Sequence, residues 1–230
     1  MHKIGIRQEI LDRVLARRGR VHVFDAIEPM STALVVIDMQ PTFCAKGAPA
    51  EVPLSRAIVP NINRLANAVR SAGGHVIWIN HANTNSAAHS DWAMFYNTFV
   101  ADDVRAATIE SMTPGSPGQE IWAGLDVHEA DVRLMKNRYS ALIPGSSTLE
   151  RVLRGFGIDT LLIVGTKTNV CCESTARDAM MLDFKVIMVS DATATLSDEE
   201  HRATLETMIQ QFGDVMTVEE IVARLPGASG

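Results

Sequence analysis

Apolar residues along this chain occur in two patterns: short continuous runs, and longer segments in which they return every three or four positions. The runs at 33–38 (ALVVID), 75–80 (HVIWIN), 160–165 (TLLIVG) and 184–190 (FKVIMVS) have strand length and little alternation, as parallel strands buried on both faces require. Weaker runs at 131–136 and 214–216 predict two further strands. Between them lie segments with helical spacing. Ile62, Leu65, Ala66 and Val69 mark a helix over 60–72, stopped by Gly73 and Gly74. Leu149, Val152, Leu153 and Phe156 follow a capping box of Ser147 and Glu150 and end at Gly157. Cys172, Ala176, Ala179 and Met180 give a helix after the fourth strand. Leu205, Met208, Ile209 and Phe212 follow a Ser197–Glu200 cap, and Val218, Ile221, Val222 and Leu225 follow a Thr217–Glu220 cap. Strands alternating with helices predict an α/β fold: one domain with a six-stranded, mostly parallel sheet and helices on both faces.

Ahead of the first strand, residues 4–18 form an amphipathic pattern with Ile6, Ile10, Leu11, Val14 and Leu15 on one face. The division expected is an N-terminal helix and linker over 1–24, serving as an oligomer contact or packing on its own domain, and a catalytic-type domain over 25–230. Arg17, Arg18 and Arg20 read as a solvated basic end. Over 81–130 the periodicity fails and Pro114, Gly115, Pro117, Gly118 and Gly124 interrupt it. Irregular chain of that length predicts pocket walls or a lid, with short helices near 92–100 and 119–123. Trp92, Phe95, Tyr96 and Phe99 either line that pocket or anchor the segment to the core. The terminal PGASG reads as disordered.

At 230 residues and 47% hydrophobic content the chain can bury a substantial core. A net charge of −6 without a basic block argues against nucleic acid, and no apolar run is long enough for a membrane span. Three cysteines, two adjacent, make neither a disulfide framework nor a zinc pattern, so a reducing cytoplasm is expected.

The candidate chemistry sits at strand ends. Asp38, Lys136 and Cys171 lie at or just beyond the C-terminal ends of three predicted strands, where open parallel sheets bind ligands. Cys171 starts a helix, whose dipole and free N–H groups predict a lowered thiol pKa. Thiol, carboxylate and ammonium together form a nucleophile, a base and a charge stabiliser. The same residues also fit a structural ion pair beside small buried cysteines.

ALVVIDMQ around Asp38, MKNRYSAL around Lys136 and GTKTNVCCESTARDA around Cys171 resemble the isochorismatase-like cysteine hydrolases over residues 30–216. The resemblance implies a Rossmann-like three-layer sandwich and a triad of Asp38, Lys136 and Cys171. It also implies a cis peptide at Thr166–Lys167 and an oxyanion hole from the backbone N–H groups of Lys167 and Cys171. Lys167 stands where members of that family often carry a smaller residue. TNVCCEST and KNRYS are most similar to the ureidoacrylate amidohydrolase branch, with biuret and triuret hydrolases as further relatives. NHANTNS replaces the Asp-Trp-His run of nicotinamidase-type metal sites, so neither metal nor other cofactor is expected, and His81 alone is a weak ligand.

The function these features imply is cysteine-dependent hydrolysis of a linear C–N bond in a ureide or carbamoylated small molecule through a thioester. An amidase of another small amide, of the N-carbamoylsarcosine, maleamate or nicotinamide type, is the alternative. Gln40, Asn80, Asn83, Arg138, Tyr139 and Asn169 are the candidate substrate-orienting groups. The expected partners are a small amide or ureide substrate and further copies of the chain, as a dimer or tetramer. Two other classes remain open, a nucleotide-binding module and a non-catalytic ligand-binding or scaffold protein. The first lacks a Gly-x-Gly-x-x-Gly or P-loop turn after the first strand.

Overall fold

A computed structural model describes residues 1–86 and 89–226 of the chain. Beyond Pro226, the tail expected to be disordered lies outside the described residues. Among the described residues eight strands are formed: β1 Thr32–Ile37, β2 His75–His81, β3 Asn85–Ser86, β4 His89–Ser90, β5 Val132–Lys136, β6 Thr160–Thr166, β7 Lys185–Ala194 and β8 Asp214–Met216. Strands β3 and β4 make a small antiparallel ribbon, and the other six form one sheet in the order β5-β2-β1-β6-β7-β8. Every pairing in that sheet is parallel, which bears out the expected, mostly parallel sheet. The continuous apolar runs already required this, since strands covered on both faces cannot alternate with polar residues.

The helices are α1 Gln8–Arg18, α2 Pro41–Cys44, α3 Val59–Ser71, α4 Ala93–Thr98, α5 Asp102–Ser111, α6 Leu149–Gly155, α7 Glu173–Met181, α8 Asp198–Thr207 and α9 Val218–Val222. Alternate residues of β1 divide between two cores. Leu34 and Val36 pack with Ile62, Leu65 and Val69 of α3 and with Val218 and Ile221 of α9. Ala33, Val35 and Ile37 pack with α1, α6, α7 and α8 through Ile10, Leu149, Ala176 and Leu205. These are the three layers the alternation of strands and helices predicts.

The caps at Ser197 and Thr217 form as expected, each hydroxyl accepting from the backbone N–H three residues on. The Ser147–Glu150 box does not form. Ser147 instead donates to the Ala141 carbonyl at 2.6 Å and accepts from Leu149 N, so its hydroxyl tethers the preceding loop, and Thr148 is the cap position. The second short helix expected at 119–123 is a single tight turn at Pro117–Gln119, and α5 was not expected at all.

Helix α1 packs on its own domain. Ile10 and Val14 are buried, and Arg7 forms a two-pronged pair with Glu206 at 2.8 and 2.6 Å. Arg18 is not the solvated end the sequence suggested. It pairs at 2.9 Å with Asp214, a fully buried carboxylate that also accepts from the backbone N–H groups of Val23 and Phe24 at 2.7 and 2.8 Å. Asp214 thus pins the linker to the edge strand β8. Asp214→Ala leaves two half-buried N–H groups and a half-buried guanidinium without their acceptor, which should cost about 3 kcal/mol in urea unfolding. A cost below about 1 kcal/mol would show that water replaces the carboxylate freely.

Candidate active site

The chain runs outward from β1 to β2 and β5, then crosses back to place β6 on the other side of β1. The direction of winding therefore reverses between β1 and β6, and at such a reversal the loops part and leave a crevice. The backbones are unusually close there. Gly165, at φ +111°, lies so near β1 that an added Cβ would sit 2.1 Å from the Ile37 carbonyl oxygen. One residue beyond β1, Asp38 takes a left-handed conformation at φ +53°, sparsely populated but tolerated by aspartate. Its N–H continues the sheet by donating to the Ile79 carbonyl at 2.8 Å.

Lys136 ends the outer strand β5 and reaches back across β2. Its ammonium lies 2.8 Å from Asp38 Oδ2, with both side chains fully buried. It also donates to the Arg138 carbonyl at 3.0 Å and contacts His81 Nδ1 at 3.1 Å. His81 faces Lys136 in the β2–β5 register, which sets its ring beside the lysine. Cys171 belongs to a wide π-helical turn, Thr168–Cys172, between β6 and α7. The peptide bond Thr166–Lys167 at the start of this turn is cis, as the family resemblance implied.

The thiol interacts with both charged groups. Burial first, and the Asp38 charge second, push Cys171 up to about 12, with Lys136 opposing both. The expected lowering is therefore corrected: loss of solvent and the neighbouring carboxylate outweigh the helix dipole. Burial also raises the Asp38 carboxyl, against the pull of Lys136, while Asp38 and Cys171 together outweigh the burial penalty on the Lys136 ammonium and hold it above its usual range. The resting thiol is protonated and lies beside a carboxylate made more basic than usual. Burial holds Cys172 well above its usual range, and Cys44 reaches about 11 in its packed position.

A cavity of about 250 Å³ opens onto Cys171. Its walls come from Phe43 after β1, Trp92 and Tyr96 around α4, Val104 and Thr108 of α5, and Tyr139 after β5. The irregular segment is thus the pocket wall, as expected, and Trp92, Phe95 and Tyr96 line it whereas Phe99 is exposed. Lys167 lies on its rim side with Val170.

Of the candidate substrate groups only Tyr139 lines the cavity. Gln40 is fully buried, its amide bridging the His81 backbone at 2.8 and 3.1 Å. Asn80 points to another depression and donates to the Gln119 carbonyl at 2.6 Å. Asn83 lies behind His81. The Arg138 guanidinium turns outward to the Asn137 and Asp91 carbonyls and stacks on Trp92. Asn169 accepts from the Thr195 hydroxyl at 2.6 Å and steadies the turn that carries Cys171. Sequence spacing cannot tell whether an amide faces a cavity or a carbonyl of its own fold. The groups missed, from Phe43 and α5, are apolar and carry no chemical signature.

Both His81 nitrogens have partners, Nε2 at 2.8 Å from Asn83 Oδ1, which leaves no free lone pair for a metal. Among the described residues no group of three histidine, cysteine, aspartate or glutamate side chains is placed to hold one.

Residues 32–220 match the family model described as "Isochorismatase domain". The chain belongs to the isochorismatase family. A "Ureidoacrylate amidohydrolase" of Rhizobium rhizogenes is 28% identical over 88% of this chain and 87% of that protein. A "Probable inactive nicotinamidase" of Arabidopsis thaliana is 32% identical over 77% and 88%. The crystal structure of a cysteine hydrolase from Pseudomonas syringae pv. phaseolicola superposes with a TM-score of 0.77 at 29% identity, covering 99% of this chain and all of that one. The likeness to that structure thus takes in α1, which lies ahead of the residues matched by the isochorismatase family model.

The buried pair yields a pH-dependent prediction. Lys136→Met keeps bulk but strands the Asp38 charge, and should destabilise by about 3–5 kcal/mol at pH 7. Asp38 in that variant has a folded pKa far above its unfolded value near ~4, so the folded state binds the extra proton. The destabilisation should therefore shrink as pH falls toward ~4 and grow as pH rises through the folded pKa. Urea titrations from pH 4 to 8 check this, and a pH-independent loss would contradict it.

Proposed function

We propose that this isochorismatase-family chain is a cysteine-dependent amidohydrolase that cleaves the C–N bond of a small amide through a thioester on Cys171. The observation that carries this reading is a thiol at the floor of a cavity, coupled to a buried carboxylate and a buried ammonium. Asp38 takes the thiol proton as sulfur attacks the carbonyl carbon. The C–N bond then breaks as Asp38 returns that proton to the departing nitrogen, leaving the acyl thioester. Water attacks the thioester with Asp38 as base, the C–S bond breaks, and sulfur recovers its proton. The backbone N–H groups of Lys167 and Cys171 are assigned to the carbonyl oxygen as it becomes negative. Lys136 stays charged and holds Asp38 and the thiol in place.

The wall chemistry favours an uncharged acyl group. Trp92, Phe95, Tyr96, Val104 and Met112 offer aromatic and aliphatic surface. Lys167 is the cationic side chain among the lining residues, while Arg138 turns to the Asp91 carbonyl and Arg105 to Asp102. A cavity of ~150 Å³ holds a benzene ring, so about 250 Å³ holds a ring or branched chain together with its amide. A ureide or carbamoyl compound is the second reading, favoured by the likeness to the ureidoacrylate amidohydrolase. Its extra N–H groups would need partners that this wall supplies sparsely.

An ammonia-release screen tests both. Benzamide, isobutyramide and nicotinamide should turn over at least about tenfold better in kcat/KM than ureidoacrylate, biuret, triuret, carbamoylsarcosine or maleamate, and the reverse order would select the ureide reading. Cys171→Ala should lose at least about 10³-fold in kcat. Full turnover by that variant would eliminate the thioester route.

A further inference from the structure

Lys136 has three N–H bonds, and each has an acceptor within 3.1 Å: Asp38 Oδ2, the Arg138 carbonyl and His81 Nδ1. An ammonium only donates, so Nδ1 must present its lone pair and the proton of the neutral ring must lie on Nε2. Nε2 points at Asn83 Oδ1, 2.8 Å away, which can only accept. Asn83 is itself oriented. Its oxygen also accepts from the Tyr96 hydroxyl at 2.9 Å, and its NH₂ donates to Asp91 Oδ1 at 2.7 Å. The donor and acceptor roles along Asp91, Asn83, His81, Lys136 and Asp38 are therefore mutually consistent, and no link can be reversed without breaking another.

We infer that His81 is a positioning residue: with its tautomer fixed by Asn83, it holds the Lys136 ammonium at the one spot from which that charge serves both Asp38 and the Cys171 thiol. The role rests on the thiol, carboxylate and ammonium acting together as proposed above, but it concerns a residue outside that set. The groups facing the assembly agree with it. Asp38 and Cys171 raise the ammonium's affinity for its proton, while Lys136 and Arg138 join burial in keeping the imidazole uncharged. Tyr139, on the cavity side, feels both Cys171 and Lys136, and Asp91 lies at the far end of the chain of bonds. Because Tyr96 is both a wall of the cavity and a donor to Asn83, the network also ties the acyl-binding surface to the ammonium.

The test needs no substrate. Iodoacetamide alkylation of Cys171, followed by peptide mass spectrometry to separate it from Cys44 and Cys172, reports how well the site stabilises the thiolate. His81→Leu removes the acceptor to Lys136 and should lower the rate at pH 8 about tenfold, so that the same rate is reached about one pH unit higher. His81→Asn keeps an acceptor at the δ position and should recover to within about threefold of wild type. Equal rates for His81→Leu and wild type, or a His81→Asn rate as low as that of His81→Leu, would overturn the assignment. The ¹⁵N resonances of wild-type His81 decide independently if the leucine variant does not fold. The expected state at neutral pH is Nε2–H with bare Nδ1, and an Nδ1–H tautomer or an imidazolium would refute it. Failure of wild type itself to alkylate would strike the active-thiol reading and leave the tautomer measurement to judge His81.

Discussion

The arrangement of this site follows from one buried ion pair. Lys136 and Asp38 are both sealed from solvent, and neither charge would persist there alone, because desolvating an isolated ion costs several kcal/mol. Each is tolerable only beside the other, so the ends of β1 and β5 must keep a fixed separation even though β2 lies between them. A lysine side chain has the reach for that span, and an arginine fork would not fit three acceptors around one nitrogen. Once the pair is in place, a thiol beside it meets opposing fields from the two charges. Burial first, and the Asp38 charge second, keep Cys171 protonated against the pull of Lys136, so that the resting sulfur is a thiol beside a carboxylate and not a standing thiolate.

The distinction affects reactivity. A free thiolate in an accessible pocket would react with any electrophile and oxidise readily. In the proposed mechanism the sulfur gains its reactivity toward a carbonyl as its proton moves to Asp38, so that attack and proton transfer proceed together. The apolar wall contributes by keeping water out, since bulk solvent would screen the ammonium and weaken its hold on both partners. Substrate shape and nucleophile activation are thereby linked through the same dry surface.

Much of this was legible in the sequence because burial on both faces of a parallel sheet leaves a plain signature. ALVVID and TLLIVG could scarcely be anything but inner strands, and a charged residue closing such a run, Asp38 or Lys136, stands out against them. The caps at Ser197 and Thr217 were legible for a similar reason, as their bonds are local. The failures share a cause as well. Helix α5 presents mostly small side chains to the cavity, so its apolar face is too thin to show as a period. Strand β7 continues four residues past Ser190 into the polar stretch DATA, beside a register shift opposite Gly165, where pairing is set by neighbours. The fate of Gln40 and Asn169, and the pKa of Cys171, depend on what surrounds a group in three dimensions.

The turn carrying Cys171 shows how such surroundings are used. A wide π-helical turn satisfies fewer of its own backbone groups than an ordinary helical start, and its geometry must be imposed from outside. Thr168 meets His201 of α8 at 3.0 Å, Asn169 is held by the Thr195 hydroxyl, and His201 stacks on His2 at 4.1 Å. Helix α1 is clamped to the same α8 through Arg7 and Glu206. The segment ahead of the first strand is therefore mechanically continuous with Cys171: α1 fixes α8, α8 fixes the turn, and the turn fixes the sulfur. Burial of Ile10 and Val14, each contributing about 1.5–3 kcal/mol, is ample to keep that brace seated. Apart from Tyr139, the polar residues that the sequence marked as substrate contacts thus act one layer back, on the shape of the site, while the cavity itself is walled mainly by aromatic and aliphatic surface.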